Sequence, residues 1–242
     1  MVSPRVTIIV PTFNEATNVF PLAQRLRLAF MGIPAVVLFV DDSTDDTPTV
    51  VGIVSTQLSD DDFRIQLIHR SCAEQLGGLS GAVITGLREA AGSPIVVVMD
   101  GDLQHPPEDA RRLYDEVVAS GSDVVVATRY DDNGGADGLS HFRLAISRVS
   151  GSAAKLLFPR RLRGISDPMS GFFALRCEAI SVGYLRPLGF KILLEILVRH
   201  SHLSTQEVSY HFAKRTSGAS KGTVRQGVTY LHHLLSLRLT AI

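Results

Sequence analysis

The run VVVMDGDLQHP, from Val96 to Pro106, constrains both the fold and the chemistry of this chain. Val96, Val97, Val98 and Met99 are continuously apolar, the pattern of a strand buried on both faces of a parallel sheet. The run ends in Asp100, Gly101 and Asp102, at the carboxyl end of that strand, where open α/β sheets bind ligands. Two carboxylates one residue apart can converge on one hard divalent cation, with Gln104 and His105 close behind. Magnesium or manganese held by one or two carboxylates completes its shell with substrate phosphates. The same residues also make a polar turn before a helix opening at Pro106-Pro107, and taken alone the two readings weigh equally.

Apolar runs and helical patterns alternate along the rest of the chain. RVTIIV, AVVLFV (Ala35 to Val40), IQLIH (Ile65 to His69), IVVVMD and DVVVAT (Asp123 to Thr128) read as strands. Helices are expected from Glu15 to Phe30, after an Asp46-Thr47-Pro48 start, and from Leu79 to Ala91. Repeated β-α-β units predict a parallel sheet covered on both faces. Beyond the Gly/Asp-rich segment Asp131 to Gly138, a helix is expected from Phe142 to Phe158, carrying Arg143, Ser147, Arg148 and Lys155. The strand FFALR, a helix from Lys191 to His200 and a strand from Gln206 to Phe212 follow. The polar loop AKRTSGASKG then leads to a last helix from Thr223, with Val224, Val228, Leu231 and Leu235 on one face and Arg225, His232, His233 and Arg238 on the other.

Lys+Arg and Asp+Glu both number 24 in 242 residues. Zero net charge argues against a general nucleic-acid binder. Cys72 and Cys177 are far apart and lack metal-site partners, which fits a reduced cytoplasmic protein. No signal peptide precedes the first strand, and no run approaches the roughly 18 apolar residues of a membrane span.

Several segments carry candidate chemistry. The first strand ends in Pro11-Thr12-Phe13-Asn14-Glu15, where a dinucleotide-binding domain would have G-x-G-x-x-G. Its absence weighs against an NAD oxidoreductase. Phe13 offers a ring for a base and Glu15 offers acceptors, although by itself the segment reads more readily as a helix start. Asp41 and Asp42 point to opposite sides of the second strand, so one faces a nucleotide and the other caps loop amides. Asp45 and Asp46 serve the next helix. GGLSGAVITG lacks the Lys-Ser/Thr ending of a phosphate loop, so its glycines serve close packing of a helix against the sheet or a nucleotide. Arg129, Arg143 and Ser147, the Asp167-Ser170-Gly171 turn, and Arg215, Ser220 and Lys221 bring cations to an Asp-rich site, a pattern that fits two phosphate-bearing substrates. Taken singly, each of these cations reads as a solvated surface charge. The histidines lack ligand spacing and read as structural or surface residues.

PTFNE, VDDSTDDT, GLSGA, DGDLQHPPE, ATRY, RLAISR, DPMSGFFALR, GFKILLEIL and AKRTSGASKG, in this order over nearly the whole chain, resemble the polyprenol-phosphate (dolichol-phosphate) mannose synthases of glycosyltransferase family 2. The resemblance implies a GT-A nucleotide-sugar transferase fold, an α/β domain with a mostly parallel sheet and helices on both faces. It implies a catalytic domain over 1–222 and an amphipathic helix over 223–242, leading to a membrane-anchoring segment or subunit. By the same resemblance, Pro11, Phe13, Glu15, Asp42, Asp100 and Gly101 line the nucleotide-sugar site, and Asp100, Asp102 and Gln104 hold Mg2+ or Mn2+. Arg129, Arg143 and Ser147 hold the lipid phosphate, and Arg215 and Lys221 close on the diphosphate. Asp102, Arg129 and Lys221 would carry the catalysis. The implied activity is metal-dependent, inverting transfer of a hexose, mannose from GDP-mannose in the first instance, to a polyprenyl phosphate at the cytoplasmic face of a membrane. UDP-glucose as donor, a saccharide acceptor, or a catalytically silent regulatory subunit are the alternatives. The chain departs from the family in having Phe13 for Tyr, Gly101 for Ala, and a VDD segment continuing Ser43-Thr44 instead of Asn-Ser and one residue shorter.

Overall fold

The computed structural model describes residues 3–130, 150–186, 191–213 and 224–240. Its elements are β1 (Val6–Thr12), α1 (Ala16–Ala29), β2 (Ala35–Asp41), α2 (Thr47–Leu58), β3 (Phe63–His69), α3 (Gly78–Glu89), β4 (Ile95–Val98), α4 (Pro107–Ser120), β5 (Val124–Thr128), α5 (150–157), β6 (Phe173–Arg176), α6 (Ile192–Arg199), β7 (Thr205–Ser209) and α7 (Val224–Thr240). The strands form one sheet in the order β3-β2-β1-β4-β6-β5-β7. Side chains alternate between its faces, and each face buries its own core. Ile9, Leu38, Val40 and Val98 pack on one side with α3 and α6, while Ile8, Val37, Phe39 and Val97 pack on the other with α1, α2 and α4.

The elements arise for local reasons. Pro107 begins α4, Glu108 and Asp109 face the positive end of its dipole, and Gly121 closes it at φ +71°. Gly86 lets α3 lie directly on β1, since a Cβ there would come within 2.6 Å of Ile9 Cγ2. That is the close helix packing expected of the GGLSGAVITG glycines. Asp45, rather than Asp46, caps α2, its Oδ1 accepting the Thr47 N–H at 3.0 Å.

The sheet is not parallel throughout, as repeated β-α-β units alone would have it. β1, β2, β3 and β4 are mutually parallel and β5 is parallel to β7, but β6 runs antiparallel to both β4 and β5. An apolar run such as FFALR carries no sign of its direction. The long excursion after β5 returns on the carboxyl side of the sheet, so β6 starts there, and the turn before it joins the strand-end loops.

Of the apolar stripe expected on the last helix, Leu235 alone has a described side chain, and it faces solvent. Leu235 is 62% exposed, whereas Tyr230, His233, Leu234 and Leu237 are buried. Glu195 on α6 is buried beside them. Glu195 Oε1 accepts the Arg186 N–H at 2.6 Å and Arg199 Nε at 2.8 Å, and His233 Nε2 stands 3.3 Å from Oε2. A buried carboxylate needs polar partners, and His233 lies beside it on the inward face that it shares with Tyr230, Leu234 and Leu237. Among the described residues no helix is long and apolar enough to cross a membrane.

Candidate active site at the carboxyl edge of the sheet

The register β1 against β2, with Thr12 opposite Asp41, brings the loops after both strands together. Pro11 is next to last in the strand, opposite Val40, and Phe13 stands 42% exposed beyond its end. Asn14 takes a left-handed conformation, φ 59°, which Asn tolerates. Its N–H donates to Ser43 Oγ at 2.7 Å, and its Oδ1 accepts the Thr44 N–H at 2.9 Å. The Glu15 N–H donates to Thr47 Oγ1 at 3.0 Å, and its carboxylate accepts Asn18 Nδ2 at 2.6 Å. Phe13 is thereby presented on a rigid double loop.

The two aspartates of β2 divide their work. Asp41 is fully buried and accepts Thr12 Oγ1, the Ser43 N–H and the Ser43 hydroxyl, with His69 Nδ1 at 2.7 Å. Asp42 receives a two-pronged contact from Arg70, Nε to Oδ1 at 2.8 Å and a terminal nitrogen to Oδ2 at 2.5 Å. Arg70 is 2% exposed and also donates to the Glu74 and Gly78 carbonyls, fixing the loop after β3. The Asp42 carboxylate is thus held in one plane by a buried guanidinium. Sequence inspection missed Arg70, because a lone Arg at a strand end is ordinarily a solvated charge.

β4 lies beside β1, so its terminal loop opens next to Phe13 and Glu15. The Asp100 N–H donates to His105 Nδ1 at 3.0 Å, which leaves the ring proton on Nε2, 3.9 Å from Asp100 Oδ2. Burial pushes the His105 pKa down against the pull of Asp100 and Asp102, so the ring is neutral. It stacks on Phe172 (4.8 Å, 11°) and meets Tyr210 and Phe212 edge-on. Asp102 Oδ1 accepts the Gln104 N–H at 3.1 Å, and Leu103 between them adopts φ 62°. A branched residue held there stores about 1–3 kcal/mol of backbone strain. Gln104 Nε2 donates to the Ala213 carbonyl at 3.1 Å, which directs its amide oxygen elsewhere. Gly171 faces Asp100; a Cβ there would lie 3.6 Å from both carboxylate oxygens.

These donors fit a hard divalent cation in one respect that can be checked. They are oxygens only, two carboxylates and an amide, and among the described residues no group of three or more His, Cys, Asp and Glu is placed to hold a metal ion by itself. A shell that is partly protein and partly substrate phosphate is the arrangement Mg2+ and Mn2+ favour. The Gly101 departure also has a structural reason: a Cβ there would meet Thr12 Cγ2 at 3.1 Å.

On the far side, β5 delivers Arg129 and the turn before β6 delivers Asp167. Arg129 Nε donates to Asp167 Oδ2 at 2.8 Å, with a second guanidinium nitrogen at 2.7 Å. Its guanidinium lies 5.5 Å from the centres of the Tyr130 and Phe212 rings. Burial works against the charge, but the Asp167 carboxylate prevails and raises the Arg129 pKa. Ser170 Oγ donates to the Ala127 carbonyl at 2.8 Å and so pins the turn to β5. Lys191, just before α6, was not singled out from the sequence. Its amine is buried, donates to the Met169 carbonyl at 3.0 Å, and senses Arg129, Asp167 and Asp100. Burial, reinforced by Arg129, brings its pKa down to about 8. The GFKILLEIL motif contained this residue, but nothing in its spacing sets one Lys apart.

The structure thus gathers Pro11, Phe13, Glu15, Asp42, Asp100, Gly101, Asp102, Gln104 and Arg129 along one edge, adjoining Arg70, His105, Asp167 and Lys191. Arg143, Ser147, Arg215 and Lys221 lie outside the described residues.

The comparisons agree with this geometry. The model of glycosyl transferase family 2 matches residues 7–183. A dolichol-phosphate mannosyltransferase of Pyrococcus furiosus is 37% identical over 96% of this chain and 63% of its own length, so the chain spans just under two thirds of that relative. A dolichol-phosphate mannosyltransferase of Saccharomyces cerevisiae is 34% identical over 96% of this chain and 86% of its own. Glucosyl-3-phosphoglycerate synthase from Mycobacterium tuberculosis, solved with Mn2+, uridine diphosphate and glucosyl-3-phosphoglycerate, superposes with a TM-score of 0.65 at 15% identity, over 98% of this chain and 80% of that one. The similarity to that structure is one of fold, and it is the fold the sequence motifs implied. The family match over most of the chain, together with relatives more than 30% identical over nearly all of it, establishes that this chain belongs to glycosyl transferase family 2.

Proposed function

We propose that this protein transfers a hexose, mannose from GDP-mannose in the first instance, to a polyprenyl or dolichyl phosphate. The observation that carries the reading is the juxtaposition of two phosphate-seeking groups on one sheet edge. The Asp100–Gln104 loop suits a cation-bound diphosphate, and Arg129, oriented by Asp167, suits a second anion beside it. The names of the similar proteins from Pyrococcus furiosus and Saccharomyces cerevisiae support mannose as the sugar and a dolichyl phosphate as the acceptor.

In this reading Phe13 covers the base, Glu15 and Asp42 accept from the nucleoside, and Arg70 keeps Asp42 in position. Asp100, Asp102 and the Gln104 amide oxygen would hold Mg2+ or Mn2+, which offsets negative charge on the departing diphosphate when bound. The acceptor phosphate oxygen forms the new bond to the anomeric carbon as the bond to the nucleoside diphosphate breaks, inverting that centre. A phosphate monoester, with a second pKa near 6, is already anionic at neutral pH, so no general base is required. Arg129 orients it; Arg143 and Ser147 would complete its site, and Arg215 and Lys221 would contact the donor diphosphate. The acceptor is a lipid, so the protein works at the surface of a membrane, on the cytoplasmic face, with helix 223–242 or a further segment or subunit as anchor.

The test incubates the protein with GDP-mannose, UDP-glucose and other nucleotide sugars, together with a short-chain polyprenyl phosphate, and identifies the lipid product by mass spectrometry. A mannosylated lipid phosphate, lost with chelator, is expected. Transfer only to saccharides, or only from UDP-glucose, would replace this reading with the corresponding alternative.

A further inference from the structure

Charge is distributed unevenly in this neutral chain. Between Asp137 and Asp167 there is no acidic residue, while Arg143, Arg148, Lys155, Arg160, Arg161 and Arg163 are basic. From Val208 to the end there is again no acidic residue, against five Lys and Arg. Eleven of the 24 cations therefore lie in two stretches that hold none of the 24 acids. The fold joins these stretches, since Tyr230 Oη on α7 donates to the Ser150 carbonyl on α5 at 2.7 Å. Where α5 ends, Leu156 is 83% exposed and Leu157 36%. The chain then turns through Pro159-Arg160-Arg161-Leu162-Arg163-Gly164, with Leu162 buried and Arg160 and Arg163 exposed. Neither those two nor Arg161 forms an ion pair with any described residue.

We propose that the end of α5 and the 159–164 turn form a docking surface for an anionic lipid bilayer. Leu156 and Leu157 enter the interface, and Arg160, Arg161 and Arg163 meet the headgroups. The inference rests on the reading that the acceptor is a lipid phosphate. Two exposed leucines beside three arginines without acidic partners among the described residues are what interfacial attachment needs, apolar area together with attraction to anionic lipid. An acidic protein partner would account for the arginines but not for an apolar tip at the end of the same helix. In the sequence the surface follows closely on Arg143 and Ser147, the candidates for holding the lipid phosphate. Docking here would bring the acceptor site down to the membrane plane, independently of α7, whose His233, Leu234 and Leu237 are committed to the protein core.

Co-sedimentation of the full chain with phosphatidylcholine vesicles, and with vesicles containing phosphatidylglycerol as well, is the experiment. Binding to the anionic vesicles alone, weakened by salt, is expected. Each Arg near such a surface contributes roughly fivefold, so R160Q/R161Q/R163Q lowers the partition coefficient by about 10²-fold. L156S lowers it by roughly tenfold, the effect of one Leu side chain no longer buried. Unchanged circular dichroism and melting temperature show that both variants fold. Equal binding to neutral and anionic vesicles, or wild-type binding by the triple variant, would overturn the proposal. Loss in the arginine variant with none in L156S, matched by equal retention on heparin, would indicate a general polyanion surface and also overturn it. Transfer to a short, water-soluble polyprenyl phosphate without vesicles reports on the catalytic reading separately. If transfer proceeds and no vesicle binding occurs, this inference alone fails; if vesicles are bound and no sugar is transferred, the acceptor reading fails.

Discussion

His105 offers the sharpest test of how the site is held together. The ring is 2% exposed, stacks on Phe172 at 4.8 Å, and accepts the Asp100 N–H at 3.0 Å. Two substitutions separate these roles. H105F keeps an aromatic ring of similar size and removes the acceptor, leaving the Asp100 N–H without its partner at a cost of about 1–3 kcal/mol. H105N carries an amide oxygen close to where Nδ1 stood and keeps the bond, but gives up ring contacts with Phe172, Tyr210 and Phe212. Such aromatic contacts contribute about 0.5–1.5 kcal/mol each beyond area burial. Both variants should therefore be destabilised by similar amounts in urea unfolding, for different reasons. Their metal affinities should differ. If the His105 bond orients Asp100, H105F should weaken Mn2+ binding by about 10- to 100-fold, the range for losing an outer partner of a ligand, and H105N should stay within a few-fold of wild type. Mn2+ titration followed by electron paramagnetic resonance, with nucleoside diphosphate saturating, measures this without turnover. If H105F binds Mn2+ as wild type does, or if H105N is the weaker of the two, the orienting role is wrong and His105 is only packing.

Chelator should abolish transfer and Mg2+ or Mn2+ restore it, with Asp102→Asn lowering turnover by at least ~10²-fold in the presence of metal; full turnover in chelator refutes the site. Arg70→Lys should loosen Asp42 and the loop after β3, weakening nucleotide affinity and costing about 3 kcal/mol because the buried pair loses its fork, and unchanged calorimetric nucleotide binding would show that Asp42 needs no such support. Gly86→Ala forces a methyl to within 2.6 Å of Ile9 and should destabilise by about 1–3 kcal/mol with nucleotide affinity retained, as urea unfolding can decide. Lys191 should reveal itself through pH: its folded pKa is about 8 against 10.5 unfolded, so over that interval the unfolded chain binds more protons and the wild type gains stability relative to Lys191→Met as pH rises. Parallel unfolding curves across that interval would show that the amine is not buried as charged.

The alternation of β-branched runs with capped amphipathic segments was enough to define a layered α/β domain, because burial on both faces of a sheet dictates composition directly. The acidic strand end at Asp100 and Asp102 was legible for a related reason: carboxylates immediately after an apolar run have no structural excuse beyond a turn. Direction and partnership were not legible. FFALR pairs equally well either way, and only the path of the chain after β5 made β6 antiparallel and brought Asp167 to Arg129. The sequence of α7 offers more than one apolar stripe, and only its packing beside Glu195 of α6 shows that Tyr230, Leu234 and Leu237 face inward. Arg70 and Lys191 have no local signature, since each acquires its role from a residue or carbonyl on another element. Periodicity and composition act over a few residues and so can be read in order. A buried charge or a ring nitrogen is defined by whatever the fold sets within about 3 Å of it, and that distance exists only in three dimensions.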